Sequence, residues 1–170
     1  MYYDKVWSIE IQRYANEFEY YERYHQNWKN VAIHTFSIPL ELLSVLMIMP
    51  YSNTFNTIAL LYCILIGLYC SFVCKSHLGK LLSLPLHSMI LILNFIIKFY
   101  CLENNYIHAF TVAIIIHLSS WFIQVIIGHF YFERNVPGMT NKLTFYSVII
   151  SNSLALDSFI SHFIEKRPIR

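Results

Sequence analysis

The sequence predicts an all-α protein: a multi-pass membrane helical bundle with about four to five membrane helices, preceded by an amphipathic N-terminal helix. Of its 170 residues, 56% are hydrophobic and only 13% are charged, whereas soluble domains usually carry about 25% charged residues. Several stretches approach or reach the roughly 17 to 25 apolar residues that a bilayer-spanning helix needs. The connections between them are short, so we expect one membrane domain covering residues 1–170.

The first element, within residues 1–30, has the pattern of an amphipathic helix. Large apolar side chains recur at alternating steps of four and three: Trp7, Ile11, Tyr14, Phe18 and Tyr21. Such a stripe predicts a helix that lies at the membrane interface or caps the bundle. A further step of four leads to His25, which we expect on the same buried side.

Five apolar windows follow this helix, within residues 31–164. They cover approximately residues 31–49, 55–73, 81–97, 106–127 and 143–164. The fifth window contains several polar residues, among them Asp157 and His162. It therefore predicts either a fifth crossing or a shallow, re-entrant segment.

Composition also bounds the partners. The net charge is only +2, and the 12 Lys and Arg residues are scattered along the chain. A nucleic-acid-binding surface needs a basic stripe or patch, so we expect no nucleic-acid partner. The lipid bilayer is the expected surrounding, in the endoplasmic reticulum if the source is eukaryotic and in the inner membrane if it is bacterial.

Two polar clusters border the apolar windows, at residues 24–34 and 121–134. Four crossings return the chain to the side where it began, so the first cluster, with His25 and His34, should meet the second, with His129 and Glu133. On a helix, His129 and Glu133 are four apart and share a face. Gln124, five residues before His129, lies roughly on the same side.

The first cluster needs a break in the helix. His25 and His34 are nine residues apart, which places them on nearly opposite faces of a continuous helix. The segment 27–30 supplies a break because Asn favours caps and turns. We expect Asn30 to cap a membrane helix that starts near residue 31.

These residue types predict a mononuclear metal site. Two or three imidazoles with a carboxylate, and with positions left open, suit non-haem Fe(II), although zinc accepts the same ligands. Of the eight histidines, no two are adjacent, three apart or four apart. The spacing therefore does not favour a di-iron site of the kind built from tight histidine boxes.

The two clusters resemble the membrane 2-hydroxy fatty acid dioxygenases. The matching residues of the first are Tyr24, His25, Asn27, Lys29, Asn30, Val31, Ile33, His34 and Pro39. Those of the second are Trp121, Gln124, Gly128, His129, Phe132, Glu133, Arg134 and Pro137. The similarity extends from about residue 21 to residue 159.

The resemblance implies an iron(II)-dependent α-oxidation, in which a long-chain 2-hydroxy fatty acid and dioxygen give an acid one carbon shorter and a one-carbon product. It implies His25, His34 and His129 as iron ligands and catalytic residues, with Glu133 as a fourth ligand or as the partner that orients a histidine. The substrate carboxylate would be held by these residues: Lys29, Asn30, Gln124 and Arg134. A 2-hydroxy carboxylate can chelate Fe(II) through its carboxylate and hydroxyl oxygens.

Two other functions remain open from the residues alone. A zinc-dependent membrane hydrolase would use Glu133 as the general base for a metal-bound water. A non-enzymatic membrane scaffold or small transporter would use the polar clusters only to hydrogen-bond helix ends. Metal identity and dependence on oxygen separate these alternatives from the dioxygenase.

Overall fold

A computed structural model of the chain describes residues 2–50, 52–104, 106–137 and 145–165. Within these ranges the secondary structure is helical, and no strand occurs in them. The elements are α1 (Tyr2–Arg23), α2 (Trp28–Ile48), α3 (Asn53–Val73), α4 (His77–Asn104), α5 (Tyr106–Phe122), a π-helix π1 (Ile123–Glu133) and α6 (Phe145–Phe163). The predicted all-α bundle with an N-terminal helix is confirmed.

Four segments of the described chain are long and apolar enough to cross a membrane. They are Trp28–Ile48, Asn53–Val73, His77–Tyr100 and His108–Glu133. The last combines α5 and π1 into one span. Four crossings place the start of α2 and the end of π1 on the same side of the bundle, where the two polar clusters lie.

The last helix, α6, is not among these four spans. Its ends both contact that same side: the Phe163 ring lies 6.0 Å from the ring of Trp28 at the start of α2, and the Tyr146 hydroxyl lies 2.8 Å from that of Tyr69, near the end of α3. The contacts agree with a shallow segment rather than a fifth crossing. The first residues of the predicted window, 143 and 144, lie outside the described residues.

The predicted cap of α2 was wrong. The helix begins at Trp28, and its cap is Asn27, whose side chain accepts a hydrogen bond from the backbone N–H of Lys29. Asn30 is inside the first turn, fully buried, and its amide points across to Glu133 instead. Asn27 and Asn30 are equal candidates for the helix cap by residue preference, and the hydrogen bond from Asn30 to Glu133 decides between them.

Helix α1 is anchored through Asp157 of α6. The carboxylate of Asp157 accepts hydrogen bonds from the Tyr14 hydroxyl at 3.2 Å and from the backbone N–H groups of Lys75 and Ser76 at 2.6 and 2.9 Å. Tyr14 is fully buried, but Trp7 is 40% exposed, so only the C-terminal half of the predicted stripe is covered. That half leads directly to His25.

Candidate metal centre

Three buried histidines, His25, His34 and His129, converge at the end of the bundle where α1, α2 and π1 meet. The ring centroid of His25 lies 4.3 Å from that of His34 and 4.9 Å from that of His129, and the last two rings are also 4.9 Å apart. One ligand atom from each lies within 4.8 Å of the others. The structure therefore brings the two polar clusters together.

Backbone carbonyls orient two of the three imidazoles. His25 Nδ1 lies 2.7 Å from the Tyr21 carbonyl oxygen, and His34 Nδ1 lies 3.0 Å from the Asn30 carbonyl oxygen. A carbonyl only accepts, so in each ring Nδ1 carries the proton and Nε2 keeps its lone pair. This is the arrangement that histidine ligands to metals commonly show, with the second nitrogen donating to a fixed acceptor.

The environment of His25 keeps its imidazole neutral. Burial lowers the pKa of His25 well below its usual value, and the neighbouring His34 and His129 lower it further. The Nε2 atom of His25 is buried and has no protein partner among the described residues. Because a metal binds the neutral ring, these conditions favour ligation.

His129 comes from the π-helix. Nδ1 of His129 is buried and also has no partner among the described residues. Its backbone carbonyl accepts a hydrogen bond from the N–H of Arg134, five residues on, where π1 ends. The wider turn of a π-helix shifts side chains relative to an α-helix, and such turns often occur at functional sites.

Gly128 allows π1 to approach α2 closely. A Cβ atom at this position would overlap Oδ1 of Asn30 and would lie 3.4 Å from Cε1 of His34. Only a residue without a side chain fits the contact. The glycine therefore sets the distance between the two elements that carry His34 and His129.

Glu133 holds the first cluster against the second. Its carboxylate accepts hydrogen bonds from the backbone N–H groups of Gln26 at 2.7 Å and Asn27 at 3.0 Å, and from Nδ2 of Asn30 at 3.0 Å. Asn27 adds a hydrogen bond from its Nδ2 to the Phe132 carbonyl at 2.9 Å. In this geometry Glu133 lies outside the group of three ligand atoms and fixes the turn that carries His25.

Of the four residues expected to hold the substrate carboxylate, one lines the cavity, one adjoins the triad and two are exposed. Gln124 is buried, lines the cavity beside the triad and donates from Nε2 to Oε1 of Glu41 at 2.8 Å. Asn30 adjoins the triad but donates to Glu133 and to the Tyr24 carbonyl. Lys29 and Arg134 are exposed, and Nζ of Lys29 lies 4.9 Å from the centre of the Phe132 ring.

A cavity of about 200 Å³ adjoins the histidines. Its walls include three tyrosines, Tyr20, Tyr21 and Tyr24, and the polar residues Glu17, Glu41, Gln124, Ser147 and Ser151. Apolar side chains make up the larger part of its surface, among them Ile38, Trp121, Val125, Val148 and Leu154. A ligand that combines a polar group for the histidines with an apolar part matches this lining.

The donor set fits a divalent transition metal. Imidazole suits iron, zinc, copper and nickel, whereas calcium and magnesium prefer oxygen ligands. Two buried imidazole nitrogens, Nε2 of His25 and Nδ1 of His129, have no partner in the described part of the chain and would be costly to leave unsatisfied. Three buried imidazoles at one point beside a small cavity could hold one metal ion and one small ligand group.

The chain matches a protein-family model over most of its length. A model described as 2-hydroxy-palmitic acid dioxygenase Mpo1-like matches residues 11–163. The chain belongs to the Mpo1-like family. Comparisons with curated proteins and with solved structures gave no match. The resemblance stated from the two polar clusters is confirmed, and the matched region includes all three histidines.

Sequence reasoning missed two features of this Mpo1-like site. Tyr21 stacks on His25, with ring centroids 3.7 Å apart and planes inclined by 6°; the step of four between the two residues was the available signal. Glu41, in α2, lines the cavity beside Gln124. The signal for Glu41 was a carboxyl group inside an apolar window, because such residues tend to face the interior of a helical bundle; its partner Gln124 depends on which face of α2 meets π1.

Proposed function

We propose that this Mpo1-like protein is an iron(II)-dependent dioxygenase that converts a long-chain 2-hydroxy fatty acid and dioxygen into the acid one carbon shorter and a one-carbon product. The observation that carries the proposal is the buried triad His25, His34 and His129 in the wall of a cavity whose surface is mostly apolar. The family description supports the same reaction class.

The three histidines are assigned as the metal ligands. Bound Fe(II) would supply the redox chemistry that lets dioxygen react with an organic acid, which side chains alone do not provide. The backbone carbonyls of Tyr21 and Asn30 keep Nε2 of His25 and His34 unprotonated and fixed in direction. Three protein ligands leave room at the centre for oxygen atoms of the substrate.

Glu133 is assigned as a positioning residue. Its carboxylate is already occupied by three hydrogen bonds from the turn before α2 and from Asn30. These bonds join residues more than a hundred positions apart and hold His25 over His129. The same contacts give no support to a role for Glu133 as the general base of a hydrolase.

The cavity offers groups for both parts of the substrate. The imidazoles suit a hydroxy-carboxylate head, and the apolar side chains of the lining suit the start of the tail. Gln124 is the predicted substrate-binding residue that lines the cavity. Lys29 and Arg134, at the exposed ends of α2 and π1, attract the acid by charge at the membrane surface. Asn30 acts through its contact with Glu133.

The proposal is tested by oxygen uptake of the purified protein, reconstituted anaerobically with Fe(II) and given a long-chain 2-hydroxy acid. We expect oxygen consumption and, by mass spectrometry, a product one carbon shorter. Alanine at His25, His34 or His129 should abolish both. His108→Ala, at an exposed histidine of α5, is the matched control and should keep both.

Two results would contradict the proposal. One is a lack of oxygen uptake by protein with verified bound iron. The other is turnover that zinc sustains without oxygen, which would favour the hydrolase.

A further inference from the structure

The cavity beside the triad lies in a cleft between two walls. Helix α2 packs against α5 and π1 on one side and against α6 on the other. Among the described residues, α6 also packs against α1, α3 and α4 but has no extended contact with α5 or π1. Two walls that share a floor and have no extended contact with each other among the described residues enclose a cleft along α2.

The open side of this cleft is apolar and faces the lipid. Trp121 on the α5 wall is 50% exposed, and Val148 on the α6 wall is 49% exposed; both also line the cavity. Val125 lies one turn from Trp121 on the same wall. Because Trp121 and Val125 belong to a membrane-crossing segment, an exposed cavity wall here borders hydrocarbon.

The cavity is too small to enclose a long acyl chain. Its volume is about 200 Å³, whereas pockets that enclose a drug-sized ligand occupy roughly 300–1,000 Å³. From His34 to Glu41 the wall formed by α2 rises only about 10 Å. There, the hydrogen bond between Glu41 and Gln124 places polar groups that an apolar tail would have to desolvate to go deeper.

We propose that the acyl tail of the substrate leaves the metal centre sideways, through the cleft between α5 and α6 bordered by Trp121 and Val148, and lies in the bilayer. The inference rests on the proposed function, which places the acid's head group at the triad. It implies that the protein selects the hydroxy-carboxylate head and accepts tails of different length. The substrate is taken from the membrane and stays partly in it.

The path is tested without turnover. The protein in lipid nanodiscs, with Fe(II) and without oxygen, is given a 2-hydroxy acid that carries a photoreactive diazirine in its tail, a few carbons from the head group, where the tail would pass the cleft. After illumination, labelled peptides are mapped by mass spectrometry, with and without excess unlabelled acid. We expect competed labels on the lipid-facing sides of α5 and α6 near Trp121 and Val148.

Each other outcome has a distinct meaning. Competed labels on the buried faces of α3 and α4 would overturn the proposal, since the tail would then be enclosed. Absence of competed labelling would overturn both the tail path and the proposed substrate. Competed labelling at the cleft by a protein that shows no oxygen uptake would support the path and contradict the proposed reaction.

A variant pair tests the same cleft by kinetics. Val148→Trp narrows it, and Val112→Trp adds the same bulk at a similarly exposed valine of α5 that does not line the cavity. We expect the first to lower kcat/KM for a long-chain acid by about tenfold, the low end of the effect that one methylene group has in an apolar substrate pocket, and the second to leave it unchanged. Equal effects of both variants would overturn the proposal.

Discussion

Gly128→Ala should separate metal binding from general stability. The added methyl group would overlap Oδ1 of Asn30, and Asn30 is held in place by hydrogen bonds from its Nδ2 to Glu133 at 3.0 Å and to the Tyr24 carbonyl at 3.3 Å. Relief requires either that π1 move away from α2 or that one of these bonds break. Overpacking of this kind costs about 1–3 kcal/mol.

The displacement should weaken the metal site because His129 is the next residue. Changes in the groups that orient metal ligands typically reduce affinity about 10- to 100-fold, and we expect a loss in this range. The assay is anaerobic titration with Co(II), followed by its visible absorbance, together with thermal unfolding. Gly67→Ala is the control: its Cβ would lie 3.1 Å from Cα of Leu84, far from the triad, so it should lower stability and spare affinity.

A second substitution tests the cause. Asn30→Ala removes the atom that the new methyl group would meet, so Gly128→Ala should cost less in the Asn30→Ala background than in the wild type. The difference is the coupling free energy of a double-mutant cycle. The reasoning would be refuted by unchanged Co(II) affinity in Gly128→Ala, or by strictly additive losses.

Three further predictions follow from contacts around the site. Glu133→Ala leaves the N–H groups of Gln26 and Asn27 without their acceptor. It should lower the free energy of unfolding by about 1.5–3 kcal/mol for each bond to a charged group, seen as a lower melting temperature, and it should also lower metal affinity. Unchanged affinity would contradict the positioning role. Asp157→Ala removes the acceptor of the Tyr14 hydroxyl and of two backbone N–H groups. It should lower the free energy of unfolding by a similar amount per bond and so lower the melting temperature. The Co(II) affinity, measured well below the melting temperature, should stay the same. For the metal-free protein, burial lowers the pKa of His25. Below about pH 6.5 the unfolded chain therefore binds a proton at this residue and the folded chain does not. Denaturant unfolding should show a free energy of unfolding that falls from pH 7 to pH 5, with a smaller slope in His25→Gln, and a flat profile would contradict this.

The sequence predicted the fold where the signal was long and apolar. The four spans of the described chain correspond to the first four of the five apolar windows, which hydrophobic length identified, and four crossings bring His25 and His34 to the side of His129. The polar residues of the fifth window left two alternatives, a fifth crossing and a shallow segment. The contacts of Asp157 with the turn between α3 and α4 agree with the shallow alternative.

Local details of the site were less predictable because they depend on tertiary contacts. Glu133 was expected at the metal or beside a histidine, but its carboxylate accepts N–H groups exposed by the turn before α2, and the position of that turn was itself misjudged at Asn30. The π-helix was also unexpected. In a π-helix the backbone hydrogen bonds join residues five apart, such as Gln124 and His129. The prediction that His129 and Glu133 share a face assumed an α-helix, in which residues four apart are neighbours, so it is less secure in π1.

The most direct test of the central claim is the metal content and ligation of the protein reconstituted anaerobically with Fe(II). We expect one iron per chain, with X-ray absorption showing scattering from about three imidazoles, the number of histidines in the triad. Alanine at His25, His34 or His129 should each remove the iron, and His108→Ala should retain it. Iron that persists in any of the three triad variants, or a spectrum without imidazole, would contradict the account.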